Sequence, residues 1–180
     1  MYYQILFDDE NTYGVAYLSE EQQGNACFPP PGIFQLPYTG VVKDWKRLTL
    51  ELQEGDFADY LSSNLGCRLC SDRLRCIFQA CASPHDEFQW LAVDVCRAAE
   101  TRAYWILHFP NPPEVLDRKQ SIAAGDFIVK PVLSNAATIC HHVFSYPKAG
   151  ALKLFVAESV KRAINAASCT GMEFSPAPIR

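Results

Sequence analysis

The sequence predicts an α+β fold, a single domain in which a mostly antiparallel, twisted sheet is packed by two main amphipathic helices. Three observations carry this expectation. The chain has 180 residues, 49% of them hydrophobic and 20% charged, which is enough apolar material for one sizeable core. Two stretches, about 71–82 and 157–169, repeat apolar residues at i, i+3, i+4 and i+7. Around them lie short aromatic and β-branched runs separated by proline, glycine and acidic breaks.

The elements follow in order. Tyr2-Tyr3-Gln4-Ile5-Leu6-Phe7 reads as a strand that Asp8 and Asp9 end. Residues 8–40 lose periodicity and contain Pro29-Pro30-Pro31-Gly32, then Pro37 and Gly40, which reads as a long surface excursion with a stiff polyproline turn. Trp45 to Leu52 resumes alternation at Leu48, Leu50 and Leu52, a strand with one buried face that Gly55-Asp56 stops. The first helix opens on Ser71, a residue suited to accept from free helix amides, with Asp72 at the positive end of the dipole. Leu74, Ile77, Phe78 and Cys81 form its apolar stripe. Phe88 to Arg97 and Ala103 to Phe109, separated by residues 98–102, suit a hairpin, and Asn111-Pro112-Pro113 forbids its continuation. After Val115-Leu116-Asp117, Phe127 to Leu133 reads as an edge or bulged strand because of Pro131. Ile139 to Phe144 reads as a further strand. The second helix carries Val160, Ala163, Ile164 and Ala167 on one stripe, with Gly171 as its left-handed stop, and Met172-Glu173-Phe174 resumes an extended course.

The net charge of −4 is unevenly spread. Residues 1–60 hold ten acids against three bases, a balance of −7, and residues 61–180 hold thirteen bases against ten acids, a balance of +3. An acidic first third repels phosphate backbones and steers basic partners, so nucleic-acid binding is not expected. No stretch approaches the roughly 18 apolar residues of a membrane span. The first residues lack a basic, cleavable leader, so a cytoplasmic location is expected. Eight cysteines in such a setting read as thiols rather than a disulfide framework.

Cys67-x2-Cys70-x5-Cys76-x4-Cys81 resembles the opening of a zinc site. The helix stripe places Cys81 on the core face and turns Cys76 away from it by roughly 100° per residue, so the four sulfurs are not expected to meet around one metal. His85, His108, His141 and His142 offer candidate bases, yet no nucleophile elbow, Walker loop, HExxH or glycine-rich phosphate cradle accompanies them. His108 reads as a core histidine, and Asp117 with Ser121 as turn-capping groups. His141 and His142, as strand neighbours, are expected to place one ring in the core and one in solvent. Trp45, Trp90 and Trp105 read as core anchors. No catalytic, cofactor-binding or metal-binding residue is therefore assigned, and no cofactor is expected.

Several motifs, in order, carry a family resemblance. They are Asp59-Tyr60-Leu61; Cys70-Ser71-Asp72-Arg73-Leu74-Arg75; Tyr104-Trp105-Ile106-Leu107 leading to Val115-Leu116-Asp117 and Ser121; His142-Val143-Phe144; Leu154-Phe155-Val156-Ala157-Glu158-Ser159-Val160-Lys161; and Thr170-Gly171-Met172-Glu173-Phe174. Over roughly residues 41–176 they resemble the immunity-protein-eleven family, a former domain of unknown function among bacterial polymorphic-toxin and secretion-system immunity proteins. Ala157 departs from the pattern, standing where a serine or threonine cap is expected. The resemblance implies a scaffold rather than a catalytic set, within one immunity-type domain over 1–180: a variable acidic segment at 1–40 and a family-like core at 41–176. It implies a cytoplasmic, non-enzymatic protein that binds and neutralises a cognate toxin or effector. The acidic residues Asp8, Asp9, Glu10, Glu20 and Glu21 are the candidate partner-binding set, facing a basic toxin surface. The competing reading is a small metal- or thiol-dependent enzyme using the cysteines and histidines.

Overall fold

The computed structural model describes residues 1–8, 13–18, 36–67, 69–125, 127–149 and 153–180. Its strands, in chain order, are β1 (Tyr2–Phe7), β2 (Val15–Tyr17), β3 (Leu48–Leu52), β4 (Tyr60–Ser63), β5 (Leu69–Ser71), β6 (Gln89–Arg97), β7 (Glu100–His108), β8 (Ile122–Ala124), β9 (Phe127–Lys130), β10 (Val143–Phe144), β11 (Leu154–Ala157) and β12 (Met172–Pro176). The helices are α1 (Asp72–Cys81), the one-turn α2 (Asn135–Thr138) and α3 (Glu158–Ala166). The α+β class expected from the sequence holds, and the strands divide among three units. β2-β3-β6-β7-β5-β4 close into a small barrel, β10-β11-β1-β12 form a four-stranded antiparallel sheet, and β8-β9 make a two-stranded ribbon.

Period-two alternation sorts the barrel strands. Leu91, Val93 and Val95 of β6, Tyr104 and Ile106 of β7, Leu50 and Leu52 of β3, and Leu61 and Leu69 fill the barrel interior. Tyr60, Cys70 and Leu107, next to inward residues of the same strands, point outward into a second core. That core is shared with Leu74 and Phe78 of α1, Val160 and Ile164 of α3, and Tyr3, Ile5, Leu154 and Val156 of the sheet. The two helices pack on each other, α1 resting on β5 and β7 and α3 on β11 and β1, and so fill the seam between barrel and sheet. Phe144 and Phe155, stacked with centroids 5.8 Å apart, cover the sheet's other face together with Val115, Leu133 and Tyr146. The sheet is buried on both sides, which explains the unbroken apolar run Leu154-Phe155-Val156.

Five local expectations change. Val15–Tyr17 is a barrel strand within the stretch read as an excursion, and three residues are too few to show alternation. The hairpin is tight, with Arg97 opposite Glu100 and only Ala98-Ala99 between, because Ala98 adopts a left-handed φ of 51°. β8 adds a strand ahead of β9, which stops before Pro131; their pairing slips at a bulge between Ile122 and Ala123. The strand expected at 139–144 shortens to Val143–Phe144, since α2 and the turn after it use the preceding residues. Finally, α3 is released by Ser168, whose φ is 51°, rather than by Gly171.

Gly171 has a different task. Its φ is 85°, and a Cβ there would lie 2.4 Å from the Tyr60 carbonyl oxygen and 2.6 Å from the Ala58 Cβ. Only glycine allows the α3–β12 turn to approach the barrel so closely. The missing cap at Ala157 is replaced from outside the helix: Glu158 N donates to the Met1 carbonyl at 3.1 Å.

Candidate functional site

A heavily bonded carboxylate lies on the seam. Asp59 precedes β4 and is only 8% exposed. It accepts from Ser71 Oγ at 2.6 Å, Arg73 Nε at 3.1 Å, a second Arg73 nitrogen, Thr170 N at 2.9 Å and Thr170 Oγ1 at 3.3 Å. Ser71 caps α1 by accepting from Leu74 N at 3.2 Å, the role its position predicts. Main-chain bonds run alongside: Ser71 N donates to the Asp59 carbonyl at 2.7 Å, and Tyr60 N to the Thr170 carbonyl at 3.1 Å. One carboxylate therefore ties the start of β4, the head of α1 and the α3–β12 turn. Burial raises the Asp59 pKa, but the bonds from Arg73, Ser71 and Thr170 outweigh it and hold the carboxyl below the ordinary aspartate value. With five donors on two oxygens, Asp59 is committed to holding the seam, and acting as a base would break those contacts.

A second buried carboxylate clasps the loop after α1 to the segment before β10. Asp86 accepts from Ser83 N at 2.8 Å, His142 N at 3.0 Å, Val143 N at 3.0 Å and His141 Nδ1 at 3.0 Å. His142 Nδ1 donates to the Cys81 carbonyl at 2.9 Å. Both rings are half-buried and bonded, in place of the expected one-in, one-out pair, because neither histidine lies in a strand. His108 is a satisfied core histidine, its Nε2 donating to the Gly40 carbonyl at 2.7 Å. Asp117 Oδ1 caps its turn by accepting from Lys119 N and Gln120 N at 2.9 and 3.2 Å. Ser121 Oγ bridges both main-chain groups of Val132. Trp45 and Trp90 pack against core clusters, and Trp105 carries the Arg75 guanidinium over its ring at 3.9 Å.

The cysteines separate as the helix stripe requires. Cys67 lies in the barrel interior, Cys70 and Cys81 border the seam core, and Cys76 is exposed. Burial pushes the Cys67 thiol up to about 12, and also raises Cys70, Cys81 and Cys169, so burial disfavours the thiolate at all four. Among the described residues no three histidine, cysteine or acidic side chains are grouped to hold a metal ion.

Of the candidate partner-binding residues, Asp8 is half-buried at the end of β1, and its N donates to the Gly171 carbonyl at 3.3 Å. Asp9, Glu10, Glu20 and Glu21 lie outside the described residues. The sequence reading also missed a cavity of about 340 Å³ between the β8-β9 ribbon and the body, lined by Leu116, Arg118, Ser121, Ile128, Pro147 and Lys148. The strands that wall it are too short to show a period, so nothing local announced it. Among the described residues no helix is long and apolar enough to cross a membrane.

No curated protein matches the chain. The model of the Immunity protein family (Imm11) matches residues 14–178, beginning earlier than the motif resemblance and taking in β2. It contains every motif residue that the seam draws together, and with nearly the whole sequence matched, this chain belongs to the Immunity protein family (Imm11).

Proposed function

We propose that this protein binds a cognate bacterial toxin in the cytoplasm and neutralises it through protein–protein contact rather than by catalysis. The observation that supports this most is the family match over residues 14–178. The geometry agrees with it: the family-like polar residues Asp59, Ser71, Arg73 and Thr170 are used up on one another, as a scaffold requires. A rigid body of this kind leaves its periphery to be shaped for one partner. The acidic set Asp8, Asp9, Glu10, Glu20 and Glu21 is the proposed contact with a basic toxin surface, through which the −7 balance of the first third speeds encounter. Co-expression with the toxin encoded beside the gene tests the reading. Growth is expected to be restored with the protein present, and failure to protect or to form a complex sinks it. Charge reversal across the five acids should slow association at low salt and matter little at high salt.

A further inference from the structure

The geometry points to the β8-β9 ribbon as a second toxin-docking edge, one that takes an acidic-flanked β-strand of the partner and seats an apolar side chain of it in the adjoining cavity. This rests on the toxin-binding reading above and adds a surface of opposite polarity to the acidic segment. Three observations support it. β8 and β9 pair only with each other among the described residues, so neither outer edge has a strand partner there, the arrangement that strand addition uses. The ribbon exposes Ile122 at 56% and Val129 at 62%, large apolar side chains for a two-stranded element that is marginal alone. The cavity of about 340 Å³ beside it has Leu116, Ile128 and Pro147 as apolar wall, room for one large side chain.

Charge selects the partner. The described acids nearby are engaged: Glu114 pairs with Arg118 at 3.1 Å, and Asp117 Oδ1 accepts two turn amides, while Asp126, in the turn between the strands, lies outside the described residues. Lys119 and Lys130 are exposed and make no ion pair among the described residues, and Lys130 stands directly opposite Ile122 on the ribbon. Among the described residues around the ribbon and its cavity, Arg118, Lys119, Lys130 and Lys148 outnumber Glu114 and Asp117, so the edge is apolar with a basic rim, whose complement is a strand flanked by Asp or Glu. A second copy of this chain is the rival occupant.

The test uses the full chain and the toxin encoded beside its gene. Val129→Glu and the double variant Lys119→Glu/Lys130→Glu alter exposed side chains, and melting temperatures matching the parent show that each is folded. Val129→Glu is expected to weaken toxin affinity about tenfold or more. The double reversal is expected to slow association several-fold at low salt, an effect that shrinks as salt is added. Hydrogen exchange at 122–124 and 128–130 should slow when toxin binds. Parent protein that binds toxin with the ribbon amides unprotected, and variants that bind equally well, overturn the ribbon while leaving toxin binding intact. Faster association of the double variant overturns the acidic partner. Light scattering that finds a dimer with ribbon amides protected before toxin is added assigns the edge to a second copy and overturns the proposal. A parent protein that binds no toxin removes the functional reading, and this inference with it.

Discussion

The seam and the ribbon show two ways to hold a turn in one small protein. At the seam, Gly171 sits at φ 85° with the Tyr60 carbonyl in the place a Cβ would occupy, and Asp59 is gripped by two other chain segments. At the ribbon, Gly125 also has a left-handed φ, of 61°, but nothing lies within 4 Å of its missing Cβ. One glycine is held by packing and the other only by its own backbone. Interactions that converge from distant parts of the chain make a rigid scaffold, and an element paired only with itself is left to meet something else.

The most severe test of this contrast is at the seam. Phe78, fully buried and stacked on Trp90, should cost about 3–5 kcal/mol when cut to alanine, read as a loss in urea midpoint. Gly171→Ala combines strain with a main-chain clash and should cost about 3 kcal/mol or more. An unchanged melting temperature would refute the close approach.

Asp59→Asn comes next, with an expected loss of about 2–3 kcal/mol, since an amide cannot accept from all those donors. Arg73→Ala should cost no more than about 1 kcal/mol, because the guanidinium is half-exposed. The Asp59 change also has a pH signature. A carboxyl held below its unfolded value near about 3.9 stabilises the fold fully above that pH and loses this contribution as pH falls through the folded value. The asparagine variant should therefore lose stability less steeply on acidification, in a melt series carried down to pH 2–3 or so.

Smaller effects are expected at the ribbon. Gly125→Ala should cost about 1 kcal/mol, the backbone penalty alone. Native-state hydrogen exchange should find Tyr60 and Ser71 amides among the slow ones and Ala123 and Ala124 among the fast, and the reverse order would collapse the comparison. Thiol labelling sharpens it further. Cys76 and Cys140, both exposed, should react in the native protein well before Cys67 and Cys70, which react only as the fold opens.

Much of this was legible from local pattern. Ser71 announced α1 because a cap works within three residues of itself, and Leu74 and Phe78 announced its buried side through the helical repeat. Asp59 and Thr170 were legible as family motifs, but nothing in either motif said that they touch, because 111 residues separate them. Asp86 and His141 meet across 55 residues and were hidden for the same reason. β2 and β8 escaped because three residues show no period.

By itself, the sequence determined the class of the fold, its two main helices, the hairpin and the family, since each depends on side chains close in the chain or on motifs in order. The tertiary structure alone decided that the strands close into a barrel through the parallel pairs β2–β4 and β3–β6, with Val15 beside Ser62 and Leu48 beside Val93. It alone decided that a second sheet is buried on both faces and that β8 and β9 pair as a separate two-stranded ribbon. Those outcomes rest on main-chain hydrogen bonds between distant segments, which any side chain except proline permits and so none announces.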